Sequence, residues 1–557
     1  MALQILPLCG VTSRDFLHYM PRHDSVAAAW WRGGVIYQIY PRSWNDSDGD
    51  GVGDIRGIIA KLDYLRWLGV DAIWLNPITA SPDVDWGYDV SDYRTVHPAL
   101  GALADVDELI ATAAERSIAV VFDIVPSHTS DRHPWFVDAR SSRSSPYRDY
   151  YVWRPPAPDG SCPNNWVSSF EGPAWSFDES TGEYYMHTFS PHQPQLNWWS
   201  PRVRAEFDAI LEFWFDRGIA GVRIDAVQAV LYDPELRDNP PAGPADTPKE
   251  KEAGQTFLYN GNHPGTHEIV RHWRAIASRY DPPRLLFGET WFLKLNAMAT
   301  YYGSGDDELD LAWNVPFLQC RLSANHLREM IRQTFAMLPA RAWPAWAVST
   351  HDYEGRMSDR WCHGEPRCIR CALLLLLTLR GTPIVYYGDE IGMTAPPAVR
   401  MAGAMRDRVK SAKSRDATRT PMQWTADTGA GFTTSPTPWL PIGDAKTANV
   451  KSQMADASSI LSFVRDLLVV RREVSTLATG AFELVDSATD ILAWRRDDVL
   501  VALNLGTTAG ELDASGTIAI CTDRGRDGER VRSPLRLASM QGVVVTPEPE
   551  RSSGSEE

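Results

Sequence analysis

Gly221-Val222-Arg223-Ile224-Asp225-Ala226 decides the fold: a short run suited to a buried strand carries one arginine and stops at a carboxylate. Two further segments repeat the pattern, Leu285-Leu286-Phe287-Gly288-Glu289 and Ala347-Val348-Ser349-Thr350-His351-Asp352. A β-strand buried on both faces reads as a continuous apolar run, and in a closed barrel of parallel strands the C-terminal ends converge on one pocket. Three acids on three such ends would therefore meet. Charges so close are costly to hold without a function, and paired carboxylates are the usual means of cleaving a glycosidic bond. A surface acid after a strand is the plainer reading of any one of them, but three in one context, two of them beside Arg223 or His351, displace it.

Outward from these segments the chain alternates strand-like and helix-like stretches, the signature of a βα repeat. Apolar runs at 35–40, 72–75, 119–125, 221–224, 285–287, 309–313, 346–349 and 384–387 make eight, the number of a (β/α)8 TIM barrel. Helical spacing is clear over 55–68, with Gly69 in a stop position, and over 103–116. The barrel is expected from 30–126 and 219–475. Residues 127–218, rich in Pro, Trp and Tyr, form an inserted lid domain after the third strand, with one helix near its end. A long loop at 233–267 follows the fourth strand, where loops shape substrate pockets. After an amphipathic helix at 460–472 the period shortens, which predicts a C-terminal antiparallel β-sandwich over 476–546. Residues 1–29 read as an extension, and the acidic, Ser-rich 547–557 as a disordered tail.

The 557 residues exceed one small core, so two or three domains are expected. A formal net charge of -16 without a basic tract argues against a nucleic-acid partner. Seven cysteines form neither a dense nor an even framework, which fits a reducing compartment. Cys368 and Cys371 make a C-x-x-C, but the leucines after them place the pair in a buried helix rather than at a metal or redox site. The apolar stretch near the start has no basic region before it, and no run reaches the ~20 residues that span a bilayer. The expectation is a cytoplasmic protein with no membrane contact.

From about residue 30 to 510 the chain resembles the α-amylase superfamily, glycoside hydrolase family 13, and within it the α-glucosidase and oligo-1,6-glucosidase group. The resemblance is carried, in the family's order, by Gly34-Val-Ile-Tyr-Gln-Ile-Tyr-Pro41, Asp123-Ile-Val-Pro-Ser-His128, Gln193-Pro-Gln-Leu-Asn197, Gly221-Val-Arg-Ile-Asp225, Gly288-Glu289-Thr290, His351-Asp352 and Gly381-Thr-Pro-Ile-Val-Tyr-Tyr-Gly-Asp-Glu390. It implies Asp225 as nucleophile, Glu289 as general acid and then base, and Asp352 as the acid that holds sugar hydroxyls. A retaining mechanism asks independently for one ionised and one protonated carboxyl roughly 5 to 5.5 Å apart. Arg223, two residues before Asp225 and on the same side of the strand, is placed to keep Asp225 ionised. His128 and His351 resemble the family's hydroxyl-binding histidines, and Tyr88 the aromatic platform under the terminal glucose. Asp85 resembles the acid that binds the terminal hydroxyls, paired with Arg415 in Ser414-Arg-Asp-Ala-Thr-Arg-Thr-Pro-Met-Gln-Trp424, with Arg419 as the alternative partner. Such a pair blocks the far end of the cleft and implies exo action on small α-glucosides.

Asp46-Ser-Asp48-Gly-Asp50-Gly-Val52-Gly-Asp54 alternates carboxylates with glycines, the way a hard cation is wrapped by oxygen. It resembles half an EF-hand and the family's calcium loop, and the lack of a Glu at the twelfth position favours the second. Structural Ca²⁺, with Mg²⁺ as the alternative, is expected on the four acids and the Val52 carbonyl.

Three positions depart from the family pattern: Ser127, Gln195 and Thr350 stand where Asn, Asp and Asn are usual. None removes a catalytic acid. Ala226 after the nucleophile accompanies α-1,4 preference in the resembling enzymes, where Val accompanies α-1,6. A transglucosylase or isomerase would carry the same acids, although the Arg-Leu-Asp-Arg-Asp stretch of sucrose isomerases does not follow Glu289. A non-catalytic relative would need a membrane anchor and would usually lose catalytic acids. The expected activity is retaining, exo-acting hydrolysis of maltose and short oligosaccharides.

Overall fold

The computed structural model describes residues 29–548 apart from Glu171, 292–293, 403–405, 408 and 410–413. The expected extension at 1–29 and tail at 547–557 lie outside the described residues except at their inner ends.

Eight parallel strands form the barrel: β1 Ile36–Ile39, β2 Ala72–Leu75, β3 Ala119–Ile124, β4 Gly221–Ile224, β5 Leu285–Gly288, β6 Leu311–Ala312, β7 Ala345–Ala347 and β8 Thr382–Tyr386. Their spatial order is β6-β5-β4-β3-β2-β1-β8-β7, and a parallel bridge between Trp313 and Ala345 joins the two ends. Alternation along each strand divides two cores. Ile36, Trp74, Val121, Leu285, Phe287, Leu311, Trp313, Ala345 and Ile384 fill the barrel interior. Tyr37, Ile39, Ile73, Leu75, Phe122 and Val222 face the surrounding helices. Gly221 is required where β4 meets β5, because a Cβ there would lie 2.4 Å from that of Leu285.

The expected helix at 55–68 is two helices, Ile55–Ile59 and Leu62–Leu68, because Lys61 leaves helical geometry at φ -111°, ψ 6°. Gly69 ends the second in the left-handed region, φ 98°, as a helix stop requires. Helix Pro201–Asp216, at the end of the insert, buries Phe207, Ile210, Leu211, Trp214 and Phe215 in the barrel's outer core and so serves as the crossover into β4. Before it, the insert carries a three-stranded sheet, 153–154, 175–178 and 183–186, with its own small core around Trp166 and Trp175.

The C-terminal region is a six-stranded antiparallel sheet and a two-stranded one. Ile491, Ala493, Leu500 and Ala502 pack between them, while Leu492, Trp494, Val501 and Leu503 turn towards the barrel helices. One large sheet is thus buried on both faces. Cys368 does not act with Cys371: it forms a disulfide with Cys362, and Cys371 is a buried free thiol. Among the described residues no helix is long and apolar enough to cross a membrane.

Candidate active site

The site lies at the C-terminal ends of the barrel strands. Asp225 follows β4, Glu289 follows β5, and Asp352 lies in the loop after β7. Backbone N–H groups of Asp225 and Glu289 still donate to the neighbouring strands, to Ile124 O at 2.8 Å and Ile224 O at 2.9 Å, so both acids sit on rigid ladder positions. Arg223 points the same way from within β4. Its Nη1 donates to Asp225 Oδ1 at 2.7 Å and to Asp123 Oδ1 at 2.7 Å, and its Nη2 makes an ion contact of 2.9 Å with Glu289 Oε2 outside hydrogen-bond alignment. Ala226, at φ 41°, turns its N–H to Glu289 Oε2 at 2.8 Å. Nucleophile and acid candidates therefore share one guanidinium and one tight turn.

Burial pushes Glu289 up to about 8, with Arg223 opposing the rise and the charge of Asp225 adding to it. Burial likewise raises Asp225 to about 7 against the pull of Arg223. The expected hydrogen bond from Arg223 to Asp225 is present, but burial outweighs it, so the arginine does not hold Asp225 in the ordinary carboxylate range. Burial lowers His128 to about 4 and His351 well below the ordinary histidine value, so both rings are neutral at pH 7.

A buried polar network supports the pocket wall. Tyr88 Oη lies 2.6 Å from His351 Nε2 and donates to Asp123 Oδ2 at 2.9 Å, with the Tyr88 and His351 rings parallel at 5.5 Å. Gln38 spans Asn76 and His351 at 3.0 and 2.9 Å. Asp85 accepts from Arg415 Nη2 at 2.6 Å and from Gln193 Nε2 at 3.1 Å, and Gln193 Nε2 lies 3.1 Å from His128 Nε2. Arg415 Nη1 donates to Asp352 Oδ1 at 2.8 Å, whereas Arg419 reaches the same oxygen only at 3.4 Å and donates through Nε to His351 O. The resulting pocket is lined by Asp85, Tyr88, His128, Asp225, Glu289, Asp352 and Arg415 together with Phe170, Phe189 and Trp291.

Arg223 and His351, expected to bind substrate, are buried behind that lining and not part of it. Asp123, Gln38, Asn76 and Gln193 escaped the sequence reading as individual site residues. The first three shared a signal, a polar residue within or directly after an otherwise apolar strand run, where burial makes it costly unless bonded.

In the acidic loop, oxygens of Asp46, Asp48 and Asp50 gather within 4.8 Å of one another. Asp54 is not brought into that group, since it caps helix Ile55–Ile59 through Gly57 N at 2.7 Å and accepts from Ser47 N at 2.7 Å. Val52 donates its N–H to Asp50 Oδ1 at 2.7 Å. Asp50 is raised by burial and by the charges of Asp48, Asp46 and Asp54, which outweigh its bond from Val52. All-oxygen donors whose charges repel fit a hard divalent cation.

Two buried carboxyls that share one guanidinium over one barrel pocket define a glycosidase-type site. Comparison with known proteins agrees. The family described as Alpha amylase, catalytic domain, matches residues 38–480, and the chain belongs to it. The oligo-1,6-glucosidase of Parageobacillus thermoglucosidasius is 37% identical over 492 residues, 82% of this chain and 86% of that protein. Among solved structures, the alpha-glucosyl transfer enzyme XgtA is 38% identical with a TM-score of 0.85, and the trehalulose synthase MutB from Pseudomonas mesoacidophila is 32% identical with a TM-score of 0.83. Each covers 93% of this chain and 99% of its own. The protein is thus an α-amylase-family glycoside hydrolase of the α-glucosidase group.

Proposed function

We propose that the protein is a retaining, exo-acting α-glucosidase that removes terminal glucose from maltose and short malto-oligosaccharides. The observation that carries this reading is the Asp85–Arg415 pair, at 2.6 Å, inside the pocket that also holds Asp225, Glu289 and Asp352. A salt bridge there closes one end, leaving room for a chain terminus rather than an internal segment. Asp225 attacks the anomeric carbon as the glycosidic C–O bond breaks, and Glu289 protonates the departing oxygen. Glu289, now ionised, takes a proton from water, whose oxygen displaces Asp225 and restores the original configuration. Asp352, held by Arg415, grips sugar hydroxyls, and Tyr88 offers its ring face to the sugar.

Small Ala226 supports α-1,4 preference, with leakage because a methylene-sized contact discriminates by only about 1 to 3 kcal/mol. Transfer to a sugar acceptor is the second reading, supported by the likeness to XgtA and by the Phe170, Phe189 and Trp291 wall. Isomerisation, the reaction suggested by the name of MutB, would use the same acids. Structural Ca²⁺, or Mg²⁺, would be held by Asp46, Asp48 and Asp50 with the Val52 carbonyl as a further donor, Asp54 being engaged as a helix cap, and would neutralise the repulsion of the three acids.

Product analysis by NMR with maltose, isomaltose, sucrose and trehalose supplied separately tests the assignment. Fast glucose release from maltose and slow release from isomaltose is expected. Accumulating new glucosides would move the assignment to transfer, rearranged disaccharides to isomerisation, and inertness on all four would remove it.

A further inference from the structure

Among the described residues Arg415 meets three carboxylates, and only two of them line the pocket. Nη1 goes to Asp352 and Nη2 to Asp85, as described above. The third is Asp407, whose side chain is fully buried. Asp407 Oδ2 accepts from Arg415 Nε at 2.9 Å and from its backbone N at 3.0 Å, while Oδ1 accepts from Nη2 at 2.8 Å. This is a two-pronged fork, which fixes the plane of a guanidinium as well as its position. The prongs hold the Nε edge, so that Nη1 remains for Asp352 while Nη2 serves both Asp407 and Asp85.

Asp407 is itself anchored. Buried Asp416 accepts from Arg406 N at 2.7 Å and from Asp407 N at 3.3 Å. Arg406 donates from Nε to Trp439 O at 2.9 Å, and its carbonyl accepts from Trp86 Nε1 at 2.8 Å. Trp86 adjoins Asp85, so the circuit closes: the loop after β2 reaches the loop after β8 once through Trp86 and Arg406 and once through Asp85 and Arg415. Burial raises Asp407, but the hydrogen bonds and charge of Arg415 outweigh it and hold the carboxyl well below the ordinary range, so it is ionised throughout the working pH range.

We propose that Asp407 is a positioning residue: it sets the guanidinium of Arg415, and through it the orientation of Asp85 and Asp352 towards the terminal sugar. It does not touch the sugar. The proposal rests on the glucosidase reading above and deepens it.

The test is a double-mutant cycle with maltose, using Asp407→Asn, Arg415→Ala and the combination, each checked for an unchanged melting temperature and circular dichroism spectrum. Asn keeps the shape but loses the charge and one acceptor. Asp407→Asn alone is expected to lower kcat/KM about 30- to 100-fold, mostly through KM, and Asp407→Glu is expected to recover part of the loss. In the Arg415→Ala background the same change is expected to cost less than about threefold, because the route through the guanidinium is gone. Equal losses in both backgrounds, or unaltered kinetics of Asp407→Asn, would overturn the proposal. If Asp407→Asn melts early, glucose binding measured by calorimetry below its transition replaces the rate, with weaker binding expected and unchanged binding fatal. A wild-type protein inert on maltose would instead sink the glucosidase reading.

Discussion

Arg223 reaches Asp225 and Glu289 with different nitrogens, Nη1 at 2.7 Å from Asp225 Oδ1 and Nη2 at 2.9 Å from Glu289 Oε2. One buried cation thus serves both carboxyls, with Asp123 as a third partner at 2.7 Å. Removing it as Arg223→Leu leaves a buried acid cluster without its counter-charge, a loss of roughly 3–5 kcal/mol. The sign of the pH dependence follows from the protons. Asp225 at about 7 and Glu289 at about 8 hold in the folded state protons that the unfolded chain releases near the ordinary carboxylate values. Stability from this cluster therefore falls as pH rises from about 4 to about 8. Thermal melts should show the deficit of Arg223→Leu shrinking at pH 5 relative to pH 8. A deficit independent of pH would contradict the shared-cation account.

The productive state needs Asp225 ionised and Glu289 protonated. Burial raises both groups, so kcat/KM should be bell-shaped with both limbs displaced towards neutral pH from the ordinary carboxylate range. Glu289→Gln should abolish the alkaline limb for an aryl α-glucoside, whose leaving group needs little protonation. An alkaline limb that persists in that variant belongs to another group.

Ala226 sits at φ 41°, where a β-branched residue is strained by about 1–2 kcal/mol. Ala226→Val should therefore lower the melting temperature by a few degrees while reducing the maltose to isomaltose ratio of kcat/KM about tenfold. An unchanged ratio would separate linkage preference from this residue.

Calcium on the acidic loop would couple metal to stability. Chelation should lower the melting temperature by several degrees, and added Ca²⁺ should restore it. Asp48→Asn with Asp50→Asn should melt at the chelated value with or without the metal. No response to either treatment would leave the loop a solvated turn.

Much of the barrel was legible because its strands are short apolar runs, two of them ending directly at a candidate acid: 221–224 before Asp225 and 285–287 before Glu289 lie within one residue of the strands observed. β6 was harder, since only Leu311–Ala312 pairs as a strand and closure relies on a single bridge at Trp313. The break at Lys61 left no trace in the apolar spacing, which continues across it. Asp407 was illegible for a different reason. It lies in no motif and no apolar run, and its importance comes from a fork of hydrogen bonds to Arg415 that only the folded chain assembles. The balance at Asp225 was likewise unreadable, because the sequence shows the neighbouring arginine but not the depth of burial that opposes it.

The central claim is covalent catalysis at Asp225. Mass spectrometry of the protein after brief incubation with a slow fluorinated α-glucosyl fluoride, followed by peptide mapping, tests it most directly. The account predicts one added fluoroglucosyl unit on the peptide that contains Asp225, absent in Asp225→Ala and lost with time in water. Complete turnover of the reagent with no adduct, or an adduct on another residue, would contradict it.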